Sequence, residues 1–192
     1  MNNSQRHLDL ERKAKRTRSK IYQGSVFDLF KDAVEYETKG RKEYDIIRHP
    51  GAVGILPVDK NGDIVCVEQY RVAAERIFLE IPAGCLEPRE DPLACAHREL
   101  REETGFKAGR MEEFGELFMS PAILHERITL FIATDLTIDP LFAEDTDQID
   151  VFTKPLCELL GLIKNGHIND AKTICALLKY QNFVEKKDKN GF

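Results

Sequence analysis

GCLEPREDPLACAHRELREETGF, residues Gly84 to Phe106, sets the frame for the rest of the chain. Asp91 is a helix-capping residue type and Pro92 suits the first helical position, where a missing N–H costs nothing. Gly105 supplies the stop, so the spacing predicts a loop, a helix and a second loop. At about 100° per residue, Leu93, Ala96, Leu100 and Thr104 share one narrow face, read here as the buried one. Glu99 and Glu103 stand one turn apart and point the same way, with Glu102 beside them. Three carboxylates this close repel one another, and a divalent cation is the simplest remedy. Hard oxygen ligands select Mg²⁺, with Mn²⁺ as the alternative, and no Cys/His cluster competes. Arg98 precedes Glu102 by four residues and is expected to fork one carboxylate while the others take metal.

RELREE by itself reads as a solvated helix face laced with ion pairs. The whole stretch does not: glycine, Glu90, Arg98-Glu99-Leu100, Glu102-Glu103, Gly105 and Phe106 fall at fixed spacings over twenty-three residues. That spacing resembles the Nudix box, with every fixed position filled. The resemblance implies metal-dependent hydrolysis of a nucleoside diphosphate linked to another group. It also implies an α/β class, an α/β/α sandwich with a mixed sheet.

With 192 residues, 42% apolar and 32% charged, the chain has the length and composition of a soluble globular protein with one substantial core. No apolar run reaches the roughly 18 residues needed to span a bilayer, and no signal peptide core opens the chain. A cytoplasmic location without membrane attachment is expected. Cys66, Cys85, Cys95, Cys157 and Cys175 are odd in number and scattered, which reads as reduced core thiols rather than a disulfide framework. The formal charge of −5 hides an asymmetry: residues 1–20 carry seven Lys/Arg against two acids, which leaves about −10 on the remainder. The acidic body argues against nucleic acid as a partner. Residues 1–20 are read as a basic flexible arm, residues 21–48 as an N-terminal strand region, 49–185 as the catalytic domain and 186–192 as a tail.

Lys20 to Glu37 and Tyr44 to Ile47 read as two or three early strands broken at Gly40. A similar N-terminal region helps form a homodimer in Nudix enzymes acting on ADP-ribose, and the resemblance implies the same here. Ala52–Val58 reads as a strand, Asp59–Gly62 as a turn, and Asp63–Arg71 as the hairpin partner. Ile77–Gly84 is a further strand entering the box. The runs EQYR and EIPAG resemble the segments before the box in ADP-ribose pyrophosphatases and their nucleotide-sugar relatives. That resemblance implies that Arg71 contacts the diphosphate and Glu80 shapes the nucleotide site. It also implies that the Ala83 carbonyl joins Glu99 and Glu103 as metal ligands, with Glu102 bridging further ions.

Beyond the box, Met111–Met119 and Arg127–Thr134 read as strands flanking a loop. Pro121 lies sixteen residues after Gly105, an offset similar to that of the ADP-ribose-hydrolysing group, although Ala122 replaces the usual glycine. The same resemblance brings Glu126 toward substrate. Residues 141–151 hold a second acidic cluster, LFAEDTDQIDV. In similar enzymes a loop at this place supplies the catalytic carboxylate, and the match falls on Asp145 or Asp147, with Glu144 adjacent. Pro155 to about Val184 has helical spacing interrupted at Asn165-Gly166, and GHINDAKTICALL resembles the closing helix of these enzymes. The five histidines form no ligand set. The expected activity is hydrolysis of ADP-ribose to AMP and ribose 5-phosphate. The alternatives are another nucleotide sugar, such as ADP-glucose or GDP-mannose, and a non-cleaving ADP-ribose sensor.

Overall fold

The computed structural model describes residues 3–142 and 148–189, with side chains through residue 185. In chain order the elements are α1 (Asn3–Lys13), β1 (Lys15–Gln23), β2 (Asp28–Tyr36), β3 (Gly40–Arg48), β4 (Ala52–Pro57), β5 (Ile64–Arg71), β6 (Arg76–Glu80) and β7 (Ala83–Cys85). Then follow α2 (Pro92–Thr104), β8 (Phe106–Phe118), β9 (Leu124–His125), β10 (Arg127–Ile138), β11 (Asp150–Lys154), α3 (Leu156–Lys164) and α4 (Ala171–Lys189). The chain divides into two compact units, Met1–Pro50 with Ser120–Glu126, and Gly51–Met119 with Arg127–Phe192.

The first unit is a four-stranded sheet in the order β1-β2-β3-β9, antiparallel except for the parallel β3–β9 contact at Ile47–Leu124 and Arg48–His125. Of residues 1–20, expected as a flexible arm, residues 3–13 form α1 and residues 15–20 most of β1. Strand β1 has no buried residue, so no apolar alternation marks it. What holds it is its ladder to β2 and the fork from Arg18 to the buried Asp32 carboxylate, with Nε at 2.6 Å and Nη2 at 2.7 Å. That hydrogen-bonded fork keeps the Asp32 carboxyl below its ordinary range.

In the second unit β4 explains the architecture. All six of its residues are buried, as a strand covered on both faces must be. Val53 and Ile55 point into one cluster with Cys95, Ala96 and Leu100 of α2. Ala52 and Leu56 point into the other, with Leu159 of α3 and Ala176 and Leu177 of α4. Helices therefore cover both faces of a mixed sheet, β7-β4-β10-β8, in which only β4 and β10 run parallel. This is the expected α/β/α sandwich. A three-stranded sheet, β11-β5-β6, completes the unit.

The expected hairpin between β4 and β5 does not form. The turn is present, with Asp59 Oδ1 accepting from the N–H groups of Asn61 (2.8 Å) and Asp63 (2.9 Å), but only Val58 and Ile64 bridge across it. A strand has two edges, and β10 takes one of β4's. The other is taken by β7 and by the Ile55 N–H bond to the Pro82 carbonyl, 2.8 Å. Strand β5 pairs with β6 and β11 instead.

Candidate functional site

Helix α2 starts where the sequence places it, with Pro92 in the first turn and the Asp91 carbonyl accepting the Cys95 N–H at 3.0 Å, although the Asp91 side chain makes no capping bond. Gly105 ends it in the left-handed conformation, φ 72°. The buried face differs from expectation: Leu93 is 43% exposed, and the stripe consists of Cys95, Ala96 and Leu100. The helix is rolled toward Cys95. On a 100° wheel Glu99 and Glu103 fall between Cys95 and Leu100, so the roll turns both carboxylates inward.

Their seats are specific. Glu103 Oε2 accepts the Ala83 N–H at 2.9 Å. The Glu99 carboxylate rests on Gly84 so closely that a Cβ there would stand 1.9 Å from its carboxyl carbon. Residue 84 is thus glycine for space. Arg98 gathers the remaining negative charge. Its Nε and Nη2 reach both Glu90 oxygens at 2.9 Å, and its Nη1 reaches Glu99 at 2.7 Å and Glu102 at 2.9 Å. The expectation of one forked carboxylate is corrected to three bound by a single guanidinium, which the planar array of five donors permits. This fork holds the Glu90 carboxyl down at about 2. Burial acts the opposite way on the inward pair: it raises Glu99 and pushes Glu103 up to about 7. Among the described residues no three carboxylate, thiol or imidazole groups close on one point as a metal cage. The fit to a divalent ion therefore rests on donor chemistry: hard oxygens, crowded and partly desolvated, with no sulfur or nitrogen ligand among them.

A second cluster faces this one. Arg71, at the end of β5, lays Nε on Glu80 Oε1 (2.9 Å) and Nη2 on Oε2 (2.6 Å), while Glu80 is 1% exposed. Lys172 of α4 bonds the same Glu80 Oε2 and reaches Asp170 Oδ2 at 3.1 Å. Asp170 caps α4 through the Thr173 N–H (2.9 Å) and also accepts from the Thr173 hydroxyl (2.6 Å). That hydroxyl oxygen accepts the Ile81 N–H at 3.0 Å, which ties α4 to the strand leading into Ala83. Both Arg71 and Lys172 act on Glu103, offsetting part of the rise that burial imposes. Two cations and the carboxylates of α2 thus share one region of the second unit, the electrostatic arrangement that a metal-bound pyrophosphate requires.

The other predicted residues lie elsewhere. Pro121 and Glu126 belong to the first unit, where Glu126 Oε1 sits 3.7 Å from His49 Nδ1. Glu144, Asp145 and Asp147 lie outside the described residues. Lys172, Asp170 and Thr173 carried no functional signal in the sequence beyond a helix start, because the partner of Lys172 is ninety-two positions away. Glu90 is part of the box, yet its pairing with Arg98 across eight residues that begin in a loop has no helical periodicity to announce it.

A sandwich with this loop and helix against its sheet defines the Nudix class of fold. The chain belongs to the NUDIX domain family, whose model matches residues 48–177. It is 34% identical to an ADP-ribose pyrophosphatase of Bacillus subtilis, over 83% of this chain and 88% of that one. It is 38% identical to a methanol dehydrogenase activator of Bacillus methanolicus, over 87% and 92%. With a GDP-mannose pyrophosphatase of Citrobacter koseri the identity is 35%, over 71% and 80%. A solved ADP compounds hydrolase superposes with a TM-score of 0.81 at 22% identity, covering 91% of this chain and 96% of its own, a likeness of fold.

Proposed function

We propose that this protein hydrolyses the diphosphate of ADP-ribose, yielding AMP and ribose 5-phosphate, in a reaction that depends on Mg²⁺ or Mn²⁺. The carrying observation is that residues 80–83 meet both groups: Glu103 of the box helix takes the Ala83 N–H, while Glu80 holds the Arg71 and Lys172 cations and Ile81 is bonded to Thr173. In this reading Ala83, Glu99, Glu102 and Glu103 hold the ions, which when bound acidify water and neutralise charge on the phosphate oxygens. Arg71 takes the diphosphate with the part of its guanidinium that Glu80 leaves uncovered; its side chain is 41% exposed. Glu80 keeps that guanidinium oriented. Arg98 holds Glu99 and Glu102 in place through its Nη1. A carboxylate among Glu144, Asp145 and Asp147 takes the proton from water. Pro121 and Glu126 are carried over as substrate-binding residues from the resemblance to the ADP-ribose-hydrolysing group. The protein works in the cytoplasm as a homodimer, without nucleic acid or membrane partners.

The discriminating experiment is a substrate panel with Mg²⁺: ADP-ribose, ADP-glucose and GDP-mannose, with products identified by mass in ¹⁸O water. ADP-ribose is expected to give the highest kcat/KM. A preference for GDP-mannose would move the assignment to the activity named for the Citrobacter relative, a second reading consistent with Ala122 at the position where glycine is usual. Glu102→Gln is expected to bind ADP-ribose while losing turnover by about 10²–10³-fold. Binding without turnover in the unsubstituted protein would identify a sensor instead.

A further inference from the structure

We propose that Lys172 is a positioning residue that acts through Glu80 to make Arg71 available to the substrate's diphosphate, an inference that rests on the role given to Arg71 above. Glu80 is buried, and one carboxylate there meets two cations: Arg71 by a bidentate fork and Lys172 through Oε2. A buried carboxylate facing a single guanidinium in this geometry forms a closed neutral pair, which has little attraction left for a further anion. Lys172 changes that balance by drawing on the same oxygen that Arg71 Nη2 uses, so the charge of Glu80 is divided between two partners. Arg71 then keeps net positive character on its outer side, and its Nη1 makes no hydrogen bond among the described residues.

Lys172 is itself fixed. Its residue is 7% exposed, and Asp170, the cap of α4, holds Nζ from the other side. Asp170 is in turn held by the backbone and hydroxyl of Thr173, whose oxygen accepts the Ile81 N–H. Lys172 is countered by Asp170 as well as by Glu80, which lets the ammonium tolerate burial, and Arg71 is the exposed end of the network. An ammonium this enclosed, already bonded to two carboxylates, is poorly placed to touch substrate, which distinguishes positioning from direct contact.

The test measures the affinity of inorganic pyrophosphate in Mg²⁺ by calorimetry, together with steady-state kinetics on the best substrate of the panel. Lys172→Met is expected to weaken pyrophosphate binding and raise KM by about tenfold, with kcat changed less than threefold, and Lys172→Arg should restore KM to within about threefold. In a Glu80→Gln background the same Lys172→Met change should alter pyrophosphate affinity by less than about threefold, because the carboxylate through which Lys172 acts is gone. If Lys172→Met does not fold, Lys172→Gln retains a hydrogen-bond donor without the charge and carries the same expectation. An equal tenfold loss in both backgrounds would mean that Lys172 meets the anion itself, and an unchanged affinity in the single variant would mean that Arg71 needs no help. Either result overturns the proposal. Failure of the unsubstituted protein to hydrolyse any nucleoside diphosphate derivative would instead remove the functional reading, and the pyrophosphate titrations would still decide the role of Lys172.

Discussion

Glu103 carries the strongest conflict between charge and burial in the site. Its carboxyl is pushed up to about 7 from an ordinary 4.5 because it is enclosed between α2 and β7, near Glu99. Between those two pH values the metal-free native state holds a proton that the unfolded chain has released. Its stability therefore falls as pH rises from about 4.5 to 7 and is flat above, by on the order of 3 kcal/mol. Glu103→Gln should abolish that slope, measured by denaturant unfolding in EDTA across the range, while turnover in Mg²⁺ drops by about 10²-fold or more. The same proton competes with a bound ion. Below pH 7 the half-saturating Mg²⁺ concentration should rise by up to about tenfold per unit, and above it should level off, as followed by activity at fixed substrate. The pairing of Glu99 with Glu103 was legible from spacing alone, since residues four apart share a helix face. Their burial was not, because it depends on which way the helix rolls against the sheet, and the placement of Leu93 on the buried face erred for that reason.

The unit formed by β7, its loop and α2 behaves as a single device, and two substitutions probe it. Gly84→Ala puts a Cβ into the space of the Glu99 carboxylate, at 1.9 Å from its carboxyl carbon. The side chain must leave, so kcat should fall by about 10²-fold while the melting temperature changes by only a few degrees. Arg98→Ala strips the counter-charge from Glu90, Glu99 and Glu102 together, and should cost about 2 kcal/mol at neutral pH in chemical unfolding. The part owed to Glu90 has a definite pH signature. A carboxyl depressed from 4.5 to about 2 stabilises the fold above 4.5 and loses that contribution as pH falls toward 2, so the deficit of the variant should shrink over that window. At this scale the helix, its proline start and its glycine stop could all be read in advance, because caps and breakers act locally. The hairpin between β4 and β5 could not be excluded that way: an Asn-Gly turn was present, and only the occupation of both β4 edges by distant strands sent β5 to another sheet.

In the molecule as a whole, the first unit offers the surface on which the homodimer proposal can be tested. Among the described residues strand β1 pairs only with β2; it is exposed along its length and is followed by Val26 and Phe27, both at least 40% exposed like Ile21 and Tyr22. An open edge with apolar neighbours favours association with a second copy. Sedimentation should give twice the chain mass, and deletion of residues 1–23 should give a monomer. Residues 1–20 looked like a solvated arm because seven basic side chains masked a strand whose partners are ladder bonds and Asp32. The sequence by itself determined the family, the carboxylate helix and the class of chemistry, since these depend on residue type at short, regular spacing. Only the tertiary structure decided that Glu99 and Glu103 turn inward, that Arg98 binds three carboxylates, and that Lys172 meets Glu80. Those contacts join positions remote along the chain, and no local periodicity encodes which buried charges will meet.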